Sequence, residues 1–142
     1  MSSYPVLLLI AQAIYIGGPE PRASTLWVQT AQATCGKTII RVSGYGAAMP
    51  LKRRASISLN GRTANGPQVK QLLTDLSSRR AAYRLEFPCT RGSSQVTLRI
   101  NRGEKLPNGT IEYHSGAATF RGDRLISYTG LQEANAETFW FR

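Results

Sequence analysis

Beyond residue 26 the chain repeatedly alternates apolar and polar positions with a period of two, the mark of strands that bury one face. Residues 26–32 show the pattern weakly. Thr38, Ile40 and Val42 then alternate with Ile39, Arg41 and Ser43, and the run stops at Gly44-Tyr45-Gly46. Ala55, Ile57 and Leu59 alternate with Ser56 and Ser58 ahead of Asn60-Gly61, a dipeptide suited to a tight hairpin turn. Tyr83, Leu85 and Phe87 oppose Arg84 and Glu86, and Val96, Leu98 and Ile100 oppose Thr97 and Arg99. After the turn Pro107-Asn108-Gly109, Ile111 and Tyr113 oppose Glu112 and His114. Residues 125–128 and 138–141 complete a set of about eight strands, the last with Phe139 and Phe141 in the core and Trp140 at its rim.

One segment follows a different period. Val69, Leu72, Leu73 and Leu76 form the stripe of a helix that packs one face on a core, so residues 67–80 are expected to be helical. Pro67 suits the first turn, and Arg79 and Arg80 suit the last turn, where the helix dipole favours positive charge. Strands with one segregated amphipathic helix make an α+β domain. Its sheet is mainly antiparallel and curled, barrel-like or sandwich-like.

The 142 residues suffice for one domain, expected over residues 23–142. Residues 4–18 are uncharged and mostly apolar, too short for a transmembrane span, which needs about 20 such residues. The run contains the small-x-small site Ala11-Gln12-Ala13, so residues 1–22 are read as a signal peptide and linker, with a buried N-terminal element as the alternative. Export to the periplasm or the extracellular space would make Cys35 and Cys89, the only cysteines, a disulfide pair. Two distant cysteines and a single histidine make no metal set, and no cofactor motif is present.

Charge changes the picture most. Eighteen Lys and Arg face eight Asp and Glu, giving +10, and between residues 21 and 74 there is no acid at all. Lys52-Arg53-Arg54 is the densest cluster, expected on an exposed loop, and Arg41 and Arg62 fall in the same acid-free stretch. Guanidinium forks suit phosphate and carboxylate groups, so the expected partner is an anionic macromolecule: an acidic protein face, a polysaccharide or a nucleic acid. This fits a small exported binding module, for example an immunity or inhibitor protein.

A catalytic alternative rests on Glu112 and His114, two positions apart on one strand and therefore on one face. If Arg84, Glu86 and Arg99 project to that side, the sheet carries a base, an acid and cations to hold a phosphate, the groups needed to cleave RNA. A helix followed by an antiparallel sheet on a small basic chain is similar in general outline to the small microbial ribonucleases. No motif of that family is matched, so no residue role is carried over. Glu112 could instead pair with Arg99 across the ladder. The absence of a nucleophile triad, phosphate loop or close carboxylate pair points away from an enzyme. A structural subunit of a surface assembly is a third possibility, given strand edges and the aromatic C-terminus. Arg121-Gly122-Asp123 and Asn108-Gly109-Thr110 match short adhesion and glycosylation motifs but read better as hairpin turns.

Overall fold

A computed structural model describes residues 29–46, 54–89 and 92–141. The apolar run at 4–18, the proposed domain start at residue 23, Lys52 and Arg53 lie outside these residues.

Among the described residues the alternating segments form two antiparallel sheets, with nine strands. The first is a meander in which β1 (Thr30–Cys35), β2 (Thr38–Ser43), β3 (Ser56–Leu59) and β4 (Arg62–Thr63) lie in sequence order. Asn60 and Gly61, with φ of 51° and 79°, turn β3 into β4; both central residues have positive φ, which asparagine and glycine tolerate best. The second sheet contains β5 (Ala81–Glu86), β6 (Gln95–Lys105), β7 (Ile111–Arg121), β8 (Arg124–Tyr128) and β9 (Gln132–Ala134). Strands β5 to β8 run in sequence order, while β9 returns to pair with β7 at Tyr113 to Ser115, beyond the stretch that β8 occupies. The architecture is α+β and mostly antiparallel, without closure into a barrel.

The apolar faces of both sheets meet in one core. Ala31, Ala33, Ile40, Val42, Ile57 and Leu59 come from the first sheet, and Tyr83, Leu85, Leu98, Ile100 and Phe120 from the second. Helix α1 (Val69–Asp75) and its C-cap add Leu72 and Leu76. Each fully buried aliphatic or aromatic side chain contributes roughly 1.5–3 kcal/mol relative to exposure, so this shared cluster is the main reason the sheets stay together. Two local ties reinforce it. Cys35 at the end of β1 is bonded to Cys89 beyond β5, with 5.6 Å between their Cα atoms. Asn65 after β4 bonds through its backbone to the β7–β8 turn and β8, donating to the Asp123 carbonyl at 2.9 Å and accepting from the Leu125 amide at 2.7 Å.

Several expectations need correction. Helix α1 stops at Asp75 instead of reaching residue 80, so Arg79 and Arg80 lie beyond it. Ser77 explains the early stop: its hydroxyl donates to the Leu73 carbonyl and its amide to Thr74, a local competition with the helical ladder. Arg102 then donates to the Asp75 carbonyl at 3.1 Å, so the cation at the helix end comes from another strand. Residues 138–141 belong to a helix, α2 (Ala136–Phe141), and not to a last strand. Asn135 just before it and Glu137 in its first turn are the residue types that start helices. Phe139 is nevertheless buried, as expected. Strands β6 and β7 each reach 11 residues, longer than their alternation suggests, and β4 and β9 are short additions.

Candidate functional site

Strand register decides which polar side chains can meet. Residues directly opposite in an antiparallel ladder share a face, and neighbours along a strand do not. His114 stands opposite Arg102 on β6 and Glu133 on β9, while Glu112 stands opposite Glu104. These positions share the face that carries Leu98, Ile100, Ala118 and Phe120 into the core, beyond the end of that core. Arg99 stands opposite Ala117 and Glu86, and Arg84 opposite Asn101, on the other face. The expected group of Glu112, His114, Arg84, Glu86 and Arg99 is therefore divided between the two sides of the sheet. The cross-strand partner of Glu112 is also not Arg99, which bonds Glu86 instead.

Glu112, His114 and Glu133 of the inner face, with Tyr113 and Asn135, line an open pocket of ≈ 490 Å³. Neither Arg84 nor Arg99 reaches it. The His114 Nδ1 is buried and makes no hydrogen bond among the described residues. Towards the core, a polar network fastens α1 to the sheet: the Tyr83 hydroxyl donates to the Asp75 carbonyl at 2.6 Å, and the Tyr128 hydroxyl donates to the Asp75 carboxylate. Arg102 joins Asp75 to Glu104, the latter at 3.4 Å. Burial pushes the Tyr83 phenol up to about 12, opposed by the Ser78 amide and the Arg102 charge. Tyr128 is raised further, first by burial and then by the Asp75 carboxylate beside it. Sequence reading missed this network, because Asp75, Arg102 and Tyr128 are far apart in the chain and ordinary at their own positions.

On the outer face, Glu86 is the centre of an ion-pair cluster. Its carboxylate lies 3.5 Å from Arg84 Nε and accepts from Arg99 at 3.1 Å. Arg84 also donates to the Phe139 carbonyl of α2 at 3.0 Å, and the Phe139 ring packs on Tyr113 with centroids 5.5 Å apart. That helix therefore walls one side of the cluster. Asn101, buried beside it, donates to the Arg84 carbonyl at 3.4 Å. An open depression of ≈ 320 Å³ adjoins these residues, lined by Arg99, Asn101, Ser115, Ala117, Thr129 and Gln132. Gly116 lets the β8–β9 connection pass: a Cβ there would lie 2.3 Å from the Gly130 carbonyl oxygen.

The basic residues are dispersed. Arg41 is exposed at the centre of the outer face of the first sheet, where it donates to the Gln32 side chain at 2.9 Å. Arg54 is exposed, as its loop position implies, whereas Lys52 and Arg53 are outside the described residues. Arg62 borders a pocket with Asn60, Gly122 and Asp123, because the backbone bridge at Asn65 draws the β7–β8 turn against the end of the first sheet. Arg121 and Arg124 flank that turn and are exposed. The exposed Lys37 belongs to the same end, since Asn60 bonds Ile39 in both directions, at 2.8 Å each way. Arg62, Arg121 and Arg124 thus form a group that linear spacing did not reveal. Its only sequence hint was Arg121-Gly122-Asp123-Arg124, whose hairpin role is as expected.

Among the described residues no set of three His, Cys, Asp or Glu side chains is placed to hold a metal, and no helix is long and apolar enough to cross a membrane. Comparison with protein-family models, curated proteins and solved structures finds no match.

Proposed function

We propose that this chain is a small exported binding module that engages an anionic macromolecule through basic side chains. The supporting observation is the convergence of Arg62, Arg121 and Arg124, with Lys37 nearby, at the end where the Cys35–Cys89 bond also lies. Exposed guanidiniums spaced over a rigid sheet end grip carboxylate or phosphate groups without reorganising the backbone. Asp123 is the one acid of that turn, so the group keeps a net positive charge. The first sheet contributes no acid of its own, which extends the positive field across Arg41 and Arg54. A disulfide between these cysteines is consistent with an oxidising, exported location. The sequence cluster Lys52-Arg53-Arg54 is the second basic group in this proposal.

The hydrolytic alternative keeps Glu112 and His114 in one pocket but separates them from Arg84 and Arg99, so binding is the better-supported reading. Retention on immobilised heparin tests it. The parent chain is expected to elute only at raised salt, and two triple variants, Lys52/Arg53/Arg54 to Gln and Arg62/Arg121/Arg124 to Gln, are expected to elute earlier. Absence of retention, or unchanged elution of both variants, would overturn the proposal.

A further inference from the structure

Strand register decides what stands beside the basic end on the outer face of the second sheet. Ala118 and Phe120 point into the core, so Thr119 and Arg121, which alternate with them, face outwards. Arg121 stands opposite Gln95 on β6 and Arg124 on β8, and in the next row Thr119 stands opposite Thr97 and Ser127. Both arginines and Ser127 are exposed, and Gln95, Thr97 and Thr119 are half-buried. Among the described residues neither arginine pairs with a carboxylate, and no hydrogen bond occupies the hydroxyl of Thr97, Thr119 or Ser127. Like charges directly opposite in a ladder, with Cβ atoms about 5 Å apart, repel one another, and an anion between them relieves the repulsion. Arg99 lies one row further on, but Glu86 holds it, so its charge is not counted here.

We propose that these two rows take the phosphate backbone of double-stranded nucleic acid, an inference that rests on the anion-binding reading above and names its partner. Arg, Gln, Ser and Thr side chains are the groups that position proteins on nucleic-acid backbones, and here they fill two successive rows. Rows two residues apart are separated by about 6.7 Å, similar to the step between successive phosphates along one strand. One phosphate lies between Arg121 and Arg124, and its neighbour accepts from the hydroxyl row. Other partners fit less well. A single strand exposes bases that stack on aromatic rings, and the two rows carry no aromatic side chain. An acidic protein face needs apolar anchors at its centre, whereas the exposed large apolar side chain beside these rows is Ile126 alone, at the β8 bulge, among the described residues. A sulfated polysaccharide held by charge makes no use of neutral hydroxyls at a fixed step from the arginines. A duplex keeps its bases stacked inside and presents phosphates at one spacing, which suits a face of cations and hydroxyls.

The test is fluorescence anisotropy of the full chain with labelled DNA, together with elution from heparin. The parent is expected to bind two duplexes of unrelated sequence equally and a single strand more weakly, a comparison that needs no variant. Thr97→Val, Thr119→Val and Ser127→Ala combined remove three hydroxyls without altering charge. This variant should bind the duplex severalfold more weakly while eluting from heparin with the parent. Arg121→Gln with Arg124→Gln, at exposed positions, should lose about tenfold or more in duplex affinity and elute earlier from heparin. Tighter binding of the single strand, or a hydroxyl variant with the parent's duplex affinity, would overturn the inference. A hydroxyl variant that loses heparin retention to the same extent would also overturn it, by assigning the rows to polyanions at large. Retention on heparin without duplex binding contradicts this inference alone, whereas failure to bind either contradicts the anion-binding reading as well.

Discussion

Arg99 and His114 belong to neighbouring strands yet lie on opposite faces of their sheet, because Arg99 stands across from Ala117 and His114 across from Arg102. Three positions along β7 separate Ala117 from His114, an odd number, and an odd separation reverses the face. The same register places Arg99 beside Glu86, where two guanidiniums share one buried carboxylate.

Glu86→Gln should therefore destabilise the fold more than Arg99→Gln. Removing the carboxylate takes the countercharge from Arg99 and one ion-pair partner from Arg84, a loss of about 2 kcal/mol after allowance for the partial exposure of Arg99. Removing Arg99 leaves Glu86 paired with Arg84, with a loss of about 1 kcal/mol or less. Urea denaturation of both variants checks the order, and equal stabilities would contradict it.

The Cys35–Cys89 bond closes a separation of 54 residues and ties the first sheet to the segment after β5. Closure of a loop of this length stabilises by about 4 kcal/mol through the unfolded chain. The double variant Cys35→Ser, Cys89→Ser is expected to lose most of that in denaturant titration, and reduction of the parent should have a similar effect. A parent indifferent to reductant would contradict the structural role.

Alkaline pH should loosen the attachment of α1. Tyr83 has its phenol raised from 10.0 to about 12 by burial, so the neutral form is favoured in the folded state. Its contribution is fully present below pH 10 and is lost as pH rises towards about 12, because the unfolded chain ionises first. The loss is on the order of 2 kcal/mol. Tyr45 and Tyr128, also raised by burial, act in the same direction. Denaturation midpoints across this range should fall with pH in the parent and fall less in Tyr83→Phe.

Gly116→Ala places a methyl 2.3 Å from the Gly130 carbonyl oxygen, where backbone must move. A loss on the order of 2 kcal/mol is expected, with amide shifts concentrated at residues 129–132. A variant as stable as the parent would show that the β8–β9 connection is freer than its close approach implies.

Period-two alternation made the inner halves of β2, β3, β5 and β6 legible, because there one face meets the core and the other meets water. In the far halves of β6 and β7 the face that faces the core further along carries Arg102, Glu104, Glu112 and His114 instead, so the alternation there no longer marks a core-facing side. Phe139, Trp140 and Phe141 suggested a strand by composition, but Asn135 and Glu137 start a helix that lies on Tyr113. Composition pointed to the pairing of Cys35 with Cys89. The sharing of faces by Glu112, His114 and the arginines depends on register between strands, which no single segment encodes.

The most direct test of the proposed binding function is the salt dependence of affinity for duplex DNA, a polyanion without carboxylates, in the parent and in Arg62/Arg121/Arg124 to Gln. If the arginines brought together by the Asn65 bridge form the anion-binding surface, log K should fall linearly with log salt. The variant should bind more weakly and with a slope shallower by roughly 0.9 for each phosphate contact removed. Affinity that does not change with salt, or a variant with the parent's slope, would contradict the account.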